Sequence, residues 1–97
     1  MNYLFHPQAE AEFLHAIDYY ENCREGLGYE FVVEVYSAIE RILAHPKAWQ
    51  ILEEDVRRSQ VNRFPYGVLY AEEKEGVFIL AIMHLHRDPD YWKERLG

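Results

Sequence analysis

Apolar positions recur with helical spacing in two stretches of the first half of the chain. Pro7 suits the first turn of a helix, because its missing N–H costs nothing there, and the first stretch should end near Arg24. Its apolar face comprises Ala9, Phe13, Ala16, Ile17 and Tyr20. The second stretch ends at His45-Pro46, and its apolar face comprises Val32, Val35, Ile39, Ile42 and Leu43. The breaker Gly26-Leu27-Gly28 joins the two, so the pattern predicts an antiparallel helical hairpin.

The second half of the chain is divided into segments that have the length of β-strands and are separated by turns. Residues 56–64 have strand length but are polar on both faces, and a bend at residues 64–67 separates them from a strand that begins at Val68. Residues 77–84 are apolar on both faces, which is typical of a central strand. Strict alternation predicts Val77, Ile79, Ala81 and Met83 on one face and Phe78, Leu80, Ile82 and His84 on the other.

Two shorter segments complete the predicted order. Residues 2–5 are apolar enough for a first or edge strand, and residues 89–96 are predicted to form a short terminal helix. Because neither helix of the hairpin can bury its apolar face alone, both should pack on the sheet. The fold class is therefore predicted as α+β: order βααβββ, with the helical hairpin on a small, mainly antiparallel sheet, in one domain spanning residues 1–97.

Composition indicates a cytoplasmic domain. No apolar run approaches the roughly 18–20 residues that span a bilayer, and the first residues lack the basic start and apolar stretch of a signal peptide. Cys23 is the only cysteine, so no internal disulfide is possible and a reducing compartment is expected. Neither a membrane partner nor a cofactor is expected.

The net charge of −7 is unevenly distributed. Residues 1–55 carry eleven acidic and three basic side chains, a net charge of −8, whereas residues 56–97 carry seven basic and six acidic ones. Overall acidity disfavours indiscriminate binding to a polyanion. The basic excess of the second half still permits a local anion site.

Histidines and arginines gather where the last strand ends. His84 and His86 have a spacing that could hold a metal ion, but no further ligands lie close in sequence, so no metal site is predicted. Adjacent antiparallel strands should instead bring three arginines toward these histidines, Arg87 and Tyr91. Arginine, histidine and tyrosine together could cleave RNA without a metal. The candidate catalytic residues are Arg57, Arg58, Arg63, His86, Arg87 and Tyr91. Alternatively, these groups form salt bridges with Glu72, Asp88 and Asp90.

Five segments carry a resemblance to a known family. They are FHPQAEAEFLHAIDYYE, GLGYEF, the HP after the second helix, VRRSQVNRFPYGVLY and AIMHLHRDPDYW. In this order, over nearly the whole chain, they resemble the RelE/ParE superfamily, the toxins of type II toxin–antitoxin modules that are often labelled plasmid stabilisation proteins. The resemblance implies two N-terminal helices on an antiparallel sheet and a cognate antitoxin as partner. The expected assembly is either a homodimer or a toxin–antitoxin hetero-oligomer.

The resemblance leaves three functions open. RelE-like members cleave ribosome-bound mRNA, and their pattern places Arg57 or Arg58, Arg63, Arg87 and Tyr91 in the site, with His86 as a base or acid. ParE-like members inhibit DNA gyrase by binding, and a degenerate member would bind its antitoxin without toxicity. The acidity of the chain and its three lysines favour the ParE-like function. The acidic first half further predicts that the antitoxin brings apolar anchors and basic residues.

Overall fold

The structure is a computed structural model and describes residues 2–96. Strand β1 (Asn2–Phe5) leads into the helical hairpin of α1 (Pro7–Cys23) and α2 (Leu27–Ala44). Four strands follow: β2 (Gln50–Glu53), β3 (Val56–Gln60), β4 (Tyr66–Glu73) and β5 (Gly76–His84). A 3-10 turn at Lys93–Leu96 ends the described chain, so the predicted terminal helix is confined to its last four residues.

The five strands form one sheet in the order β1-β5-β4-β3-β2. Strand β1 is parallel to β5, and every other pair is antiparallel. The α+β class and the hairpin on a mainly antiparallel sheet are therefore confirmed. Strand β2 was not predicted, because only Leu52 of its four residues is even partly buried and its apolar neighbour Ile51 is exposed.

The turn between the helices is fixed by one carboxylate. Glu21 accepts hydrogen bonds from the backbone N–H groups of Gly26 and Gly28 at 3.0–3.1 Å, which satisfies donors at the start of α2. A Cβ on Gly28 would lie 2.8 Å from the carbonyl oxygen of Ile17, so glycine is needed for the close approach of the helices.

Each face of the sheet is covered by different parts of the chain. The inner face packs against the hairpin, in a core that includes Phe13, Phe31 and Tyr70. The outer face is apolar as well, and fully buried Trp92 from the C-terminal segment packs on it. This two-sided burial explains why β5 is apolar throughout.

A β-bulge breaks the alternation predicted for β5. Leu69 pairs with Ala81 and Tyr70 with Ile79, so Leu80 has no residue opposite it. Leu80 and Ala81 both pack in the outer cluster, whereas Ile82 packs in the inner one. The predicted face assignment is therefore wrong beyond Leu80, because a strand that is apolar on both faces has no polar residue to mark the change.

Two side chains complete the uncovered edge of β5. Strand β1 pairs only with Gly76–Ile79, the first part of β5. Beyond it, the N–H of Ile82 donates to Glu12 Oε1 at 3.1 Å and the carbonyl of Leu80 accepts from Arg95 Nη1 at 2.8 Å. Arg95 also donates to both carboxylate oxygens of Glu12, at 3.0 and 2.8 Å. The pair thereby ties α1, β5 and the C-terminal segment together.

Within residues 2–96, no helix combines the length and the apolar character needed to cross a membrane.

Candidate functional site

Four of the six candidate catalytic residues line two separate grooves, and Arg57 and His86 line neither. The first, here called the arginine groove, has a volume of about 570 Å³ and is lined by Arg41, Trp49, Gln50, Arg58, Gln60, Val61, Asn62 and Arg63. The second, here called the histidine groove, has a volume of about 460 Å³ and is lined by Ala11, Glu12, His15, Ala16, Tyr19, Tyr66, Ile82, His84, Arg87 and Tyr91.

Arg57 is engaged with the backbone after α2. Its Nη1 donates to the carbonyls of Lys47 at 3.0 Å and Trp49 at 2.8 Å. Directly opposite, the hydroxyl of Tyr70 donates to the carbonyl of Pro46 at 2.6 Å. Burial raises the pKa of Tyr70 to about 12, although the positive charge of Arg57 opposes this rise. Arg57 and Tyr70 together hold the connection between α2 and β2, and this accounts for both side chains.

Arg58 is half-buried in the middle of β3. Its Nη2 donates to Gln50 Oε1 at 3.1 Å. Its aliphatic carbons pack over Gly67, where an added Cβ would lie only 2.9–3.0 Å from them. Arg41, from the last turn of α2, lines the same groove. In the described part of the chain, neither Arg41 nor Arg58 forms an ion pair.

Arg63 is paired with the acidic face of α2. Its Nη2 lies 2.6 Å from Glu30 Oε1 and its Nη1 lies 3.6 Å from Glu34 Oε2. Hydrogen bonding to Glu30 raises the pKa of Arg63 and lowers that of Glu30. Its backbone adopts φ 71°, in the left-handed region that side chains other than glycine rarely occupy. This conformation aims the guanidinium at the helix and over the ring of Phe64.

The histidine groove is lined by two further candidate residues, Arg87 and Tyr91, which stack on each other. The guanidinium of Arg87 lies 3.9 Å from the centroid of the Tyr91 ring, and that of Arg95 lies 4.9 Å from it. The ring of His84 is 5.3 Å from that of His86, whose N–H donates to His84 Nδ1. Arg87 and Tyr91 are thus brought together as predicted, with His86 beside His84 at the rim.

Tyr91 is poorly placed for proton transfer. Burial raises the pKa of its phenol far above the usual value, and the nearby Glu12 carboxylate adds to this effect. Its buried hydroxyl has no hydrogen-bond partner among residues 2–96. A phenol with a raised pKa stays protonated at neutral pH, and its ring lies against two guanidinium groups.

The predicted acidic partners of these arginines are wrong. Glu72 pairs with Lys47 at 3.0 Å and Asp90 pairs with Lys93 at 3.2 Å, while Asp88 accepts from the N–H of Asp90. The acids that pair with Arg63 and Arg95 come from the helices instead.

Several residues of the two grooves were not predicted. Glu12, His15 and Tyr19 reach the histidine groove from α1, and Arg41 reaches the arginine groove from α2. Glu12 carries a detectable signal, since it lies three residues after buried Ala9 and four before buried Ala16, on the apolar face of its helix. A carboxylate in such a position needs a buried partner, which Arg95 supplies.

No set of three or more histidine, cysteine or acidic side chains within the described residues has the arrangement that a metal ion requires. His84 and His86 are close to each other, and Glu12 and His15 also line the histidine groove, but they form no such set. Cys23 is exposed at the end of α1.

The hairpin-on-sheet architecture and its two open grooves define a small α+β protein of the RelE/ParE toxin fold. A solved structure described as "Chromosomal ParDE TA system from P. aeruginosa" superimposes with a TM-score of 0.77 at 18% sequence identity, over 89% of this chain and 97% of that chain. Among curated proteins, none matches the sequence.

The family is shown by a more direct match. A family model described as "ParE toxin of type II toxin-antitoxin system, parDE" matches residues 3–89. The chain therefore belongs to the ParE toxin family, and the resemblance to RelE/ParE toxins is confirmed. Membership in this family implies a cognate antitoxin as partner.

Proposed function

We propose that this protein arrests growth by binding DNA gyrase and that its antitoxin neutralises it by covering the helical hairpin. The observation that carries the first part is the separation of the candidate catalytic groups. Arg57 is bound to backbone carbonyls, Arg63 is paired with α2, and the half-buried ring of Tyr91 lies against two guanidinium groups. Side chains engaged in this way are suited to stabilising the fold. Their separation supports a protein that inhibits its target by binding and not by catalysis.

Charge supports binding over RNA cleavage. A nuclease that acts on ribosome-bound mRNA must approach a dense polyanion, and a net charge of −7 makes that approach unfavourable over long range. Binding to a protein target carries no such penalty. The ParE family match supports gyrase as that target.

The test is a supercoiling assay with purified protein and gyrase. We expect inhibition that saturates with protein concentration and is relieved by the antitoxin encoded beside the toxin gene. Full supercoiling activity at saturating protein would refute the gyrase proposal. In parallel, transcripts are mapped after induction: mRNA cleavage that is lost in Arg87→Ala would favour the RelE-like nuclease. Unchanged growth without antitoxin would indicate a degenerate member.

The hairpin offers an apolar surface for the antitoxin. Tyr29, Val33 and Tyr36 repeat on α2 and are 72%, 43% and 41% exposed, and Leu14 of α1 is 57% exposed. Leu14 and Tyr36 line a groove of about 280 Å³ between the hairpin and β1, with Glu10 among its lining residues. Apolar side chains in acidic surroundings fit a partner segment with apolar anchors and basic residues.

Alanine substitutions test this surface by calorimetric titration with the antitoxin. Tyr36→Ala is expected to weaken binding by tenfold or more, since buried aromatic anchors cost about 2 kcal/mol or more when truncated. Ile51→Ala is the matched control, because Ile51 is 56% exposed on β2, outside the hairpin. Equal effects of both substitutions, or a strongly acidic antitoxin segment on the hairpin, would contradict this part of the proposal.

A further inference from the structure

The arginine groove borders an unpaired strand edge. Strand β2 pairs with β3 only as far as Arg58, which lies opposite Gln50. Beyond this pair, the N–H of Val61 donates to the carbonyl of Tyr66 on the β4 side. Consecutive residues of an antiparallel strand direct their backbone groups to opposite edges. The N–H and C=O of exposed Gln60 therefore face the uncovered edge, in the groove.

Two arginines beside this edge lack an acidic partner. Arg41 and Arg58 form no ion pair within residues 2–96, although acidic side chains outnumber basic ones in the chain by seventeen to ten. Arg63, at the far end of the groove, is engaged with Glu30 and Glu34. The groove is thus a local cationic site on an acidic protein.

The remaining lining groups are suited to hydrogen bonding. Gln60 and Asn62 are exposed and present amide side chains. The indole N–H of Trp49 is buried, and no acceptor for it exists among the described residues.

We propose that the arginine groove binds an extended acidic segment of a protein partner, which continues the sheet along the uncovered edge of β3. The segment's backbone pairs with Gln60, and its carboxylates pair with Arg41 and Arg58. An edge strand recognises the backbone of an added strand, while the charges select its sequence. Arginine is well suited to this role because its planar fork holds a carboxylate through two hydrogen bonds.

A protein segment fits this groove better than a nucleic acid does. A nucleic acid extends its charge beyond the groove, where it would meet the acidic face of α2 around Glu30 and Glu34 and the net charge of the chain. A short peptide places its carboxylates only where the two arginines lie. The open strand edge also offers backbone pairing, which a nucleic acid cannot use.

The probe is a short blocked peptide of alternating valine and glutamate, titrated against the full chain by fluorescence anisotropy. Its control replaces every glutamate with glutamine. We expect the acidic peptide to bind on the order of tenfold more tightly, and Arg41→Gln or Arg58→Gln to remove most of that difference. Lys74→Gln makes the same charge change in the exposed β4–β5 turn and should leave binding unchanged. Circular dichroism verifies that each variant is folded.

A second measurement distinguishes strand addition from general charge attraction. The backbone amide of Gln60 should become protected from hydrogen exchange when the acidic peptide binds. Equal binding of both peptides, or no change at Gln60, would overturn the proposal. Tighter binding of a single-stranded RNA of equal charge would also overturn it and assign the groove to nucleic acid. The outcome does not depend on gyrase, because a protein without effect on supercoiling can still bind the peptide.

Discussion

The ion pair between Glu12 and Arg95 is expected to be a major source of stability. Only 8% of the Arg95 side chain and 16% of the Glu12 side chain are exposed, so neither charge is well solvated when it is alone. Arg95→Met keeps the aliphatic stem but removes three hydrogen bonds, two to Glu12 and one to the carbonyl of Leu80. Breaking one partner of a buried pair costs about 3–5 kcal/mol, because the remaining charge stays buried without compensation. We expect a loss in this range.

Urea unfolding followed by circular dichroism at neutral pH measures this loss. Lys93→Met is the matched control: Lys93 belongs to the same 3-10 turn and pairs with Glu53 at 3.1 Å, but both of its side-chain partners are well exposed. Exposed pairs contribute little, so this variant should unfold close to the wild type. Hydrogen exchange adds a local readout, since the amide of Ile82 should lose protection in Arg95→Met.

A double-mutant cycle separates the pair from the packing of each side chain. In Glu12→Gln, the amide oxygen can still accept from Ile82, so the edge of β5 keeps one hydrogen bond. The double variant Glu12→Gln/Arg95→Met lacks both charges. Its loss in the free energy of unfolding should be smaller than the sum of the two single losses, by about 1–3 kcal/mol. Additive losses, or an Arg95→Met protein as stable as Lys93→Met, would refute the reasoning.

Three further predictions concern the backbone and the core. Arg63→Gly should unfold at a higher urea concentration than Arg63→Ala, because both lose the ion pairs with α2 but only glycine adopts φ 71° without strain. Burial raises the pKa of Tyr70 from 10.0 to about 12. The stability that the neutral phenol contributes is therefore complete below pH 10 and falls as the pH rises toward 12. Tyr70→Phe should lose less stability over this range, as measured by urea unfolding at each pH. Gly76→Ala should cost about 2–4 kcal/mol and expose β1 to hydrogen exchange, because its Cβ would lie 2.1 Å from the carbonyl oxygen of Asn2, whereas Gly67→Ala meets only a flexible side chain and should cost less.

The main elements of the fold could be predicted because their patterns are strong. Both helices bury a continuous face, and β5 is apolar throughout, as a strand covered on both sides must be. Strand β2 gives no such signal, since it lies at the sheet edge and pairs through its backbone. The bulge at Leu80 could not be predicted either, because every residue around it is apolar and none marks where the alternation shifts.

The candidate site was harder to predict than the fold. The predicted adjacency of three antiparallel strands is correct, since β3, which carries Arg57 and Arg58, pairs with β4 and β4 pairs with β5. Adjacency does not determine where long side chains end, and these arginines do not join the histidine groove. Arg57 reaches back to the carbonyls after α2, and Arg63 reaches across to α2 because of its left-handed backbone. Residues from the helices that line both grooves are distant in sequence from the strands, and a pattern along the chain does not link them.

The closing segment HRDPDYW shows how a recognisable sequence can serve structure rather than chemistry. Asp88 accepts from the N–H of Asp90, and the indole N–H of Trp92 donates to the carbonyl of Pro89 at 2.6 Å. These bonds fix the turn that carries fully buried Trp92 onto the outer face of the sheet. The same turn positions Tyr91 beneath the guanidinium groups of Arg87 and Arg95. Most of the segment is therefore engaged in closing the outer core and the edge of β5. Arg87 and His86 remain exposed at the rim, so a substitution there alters the surface with little effect on the fold. A change in toxicity without a change in mRNA cleavage would report on binding.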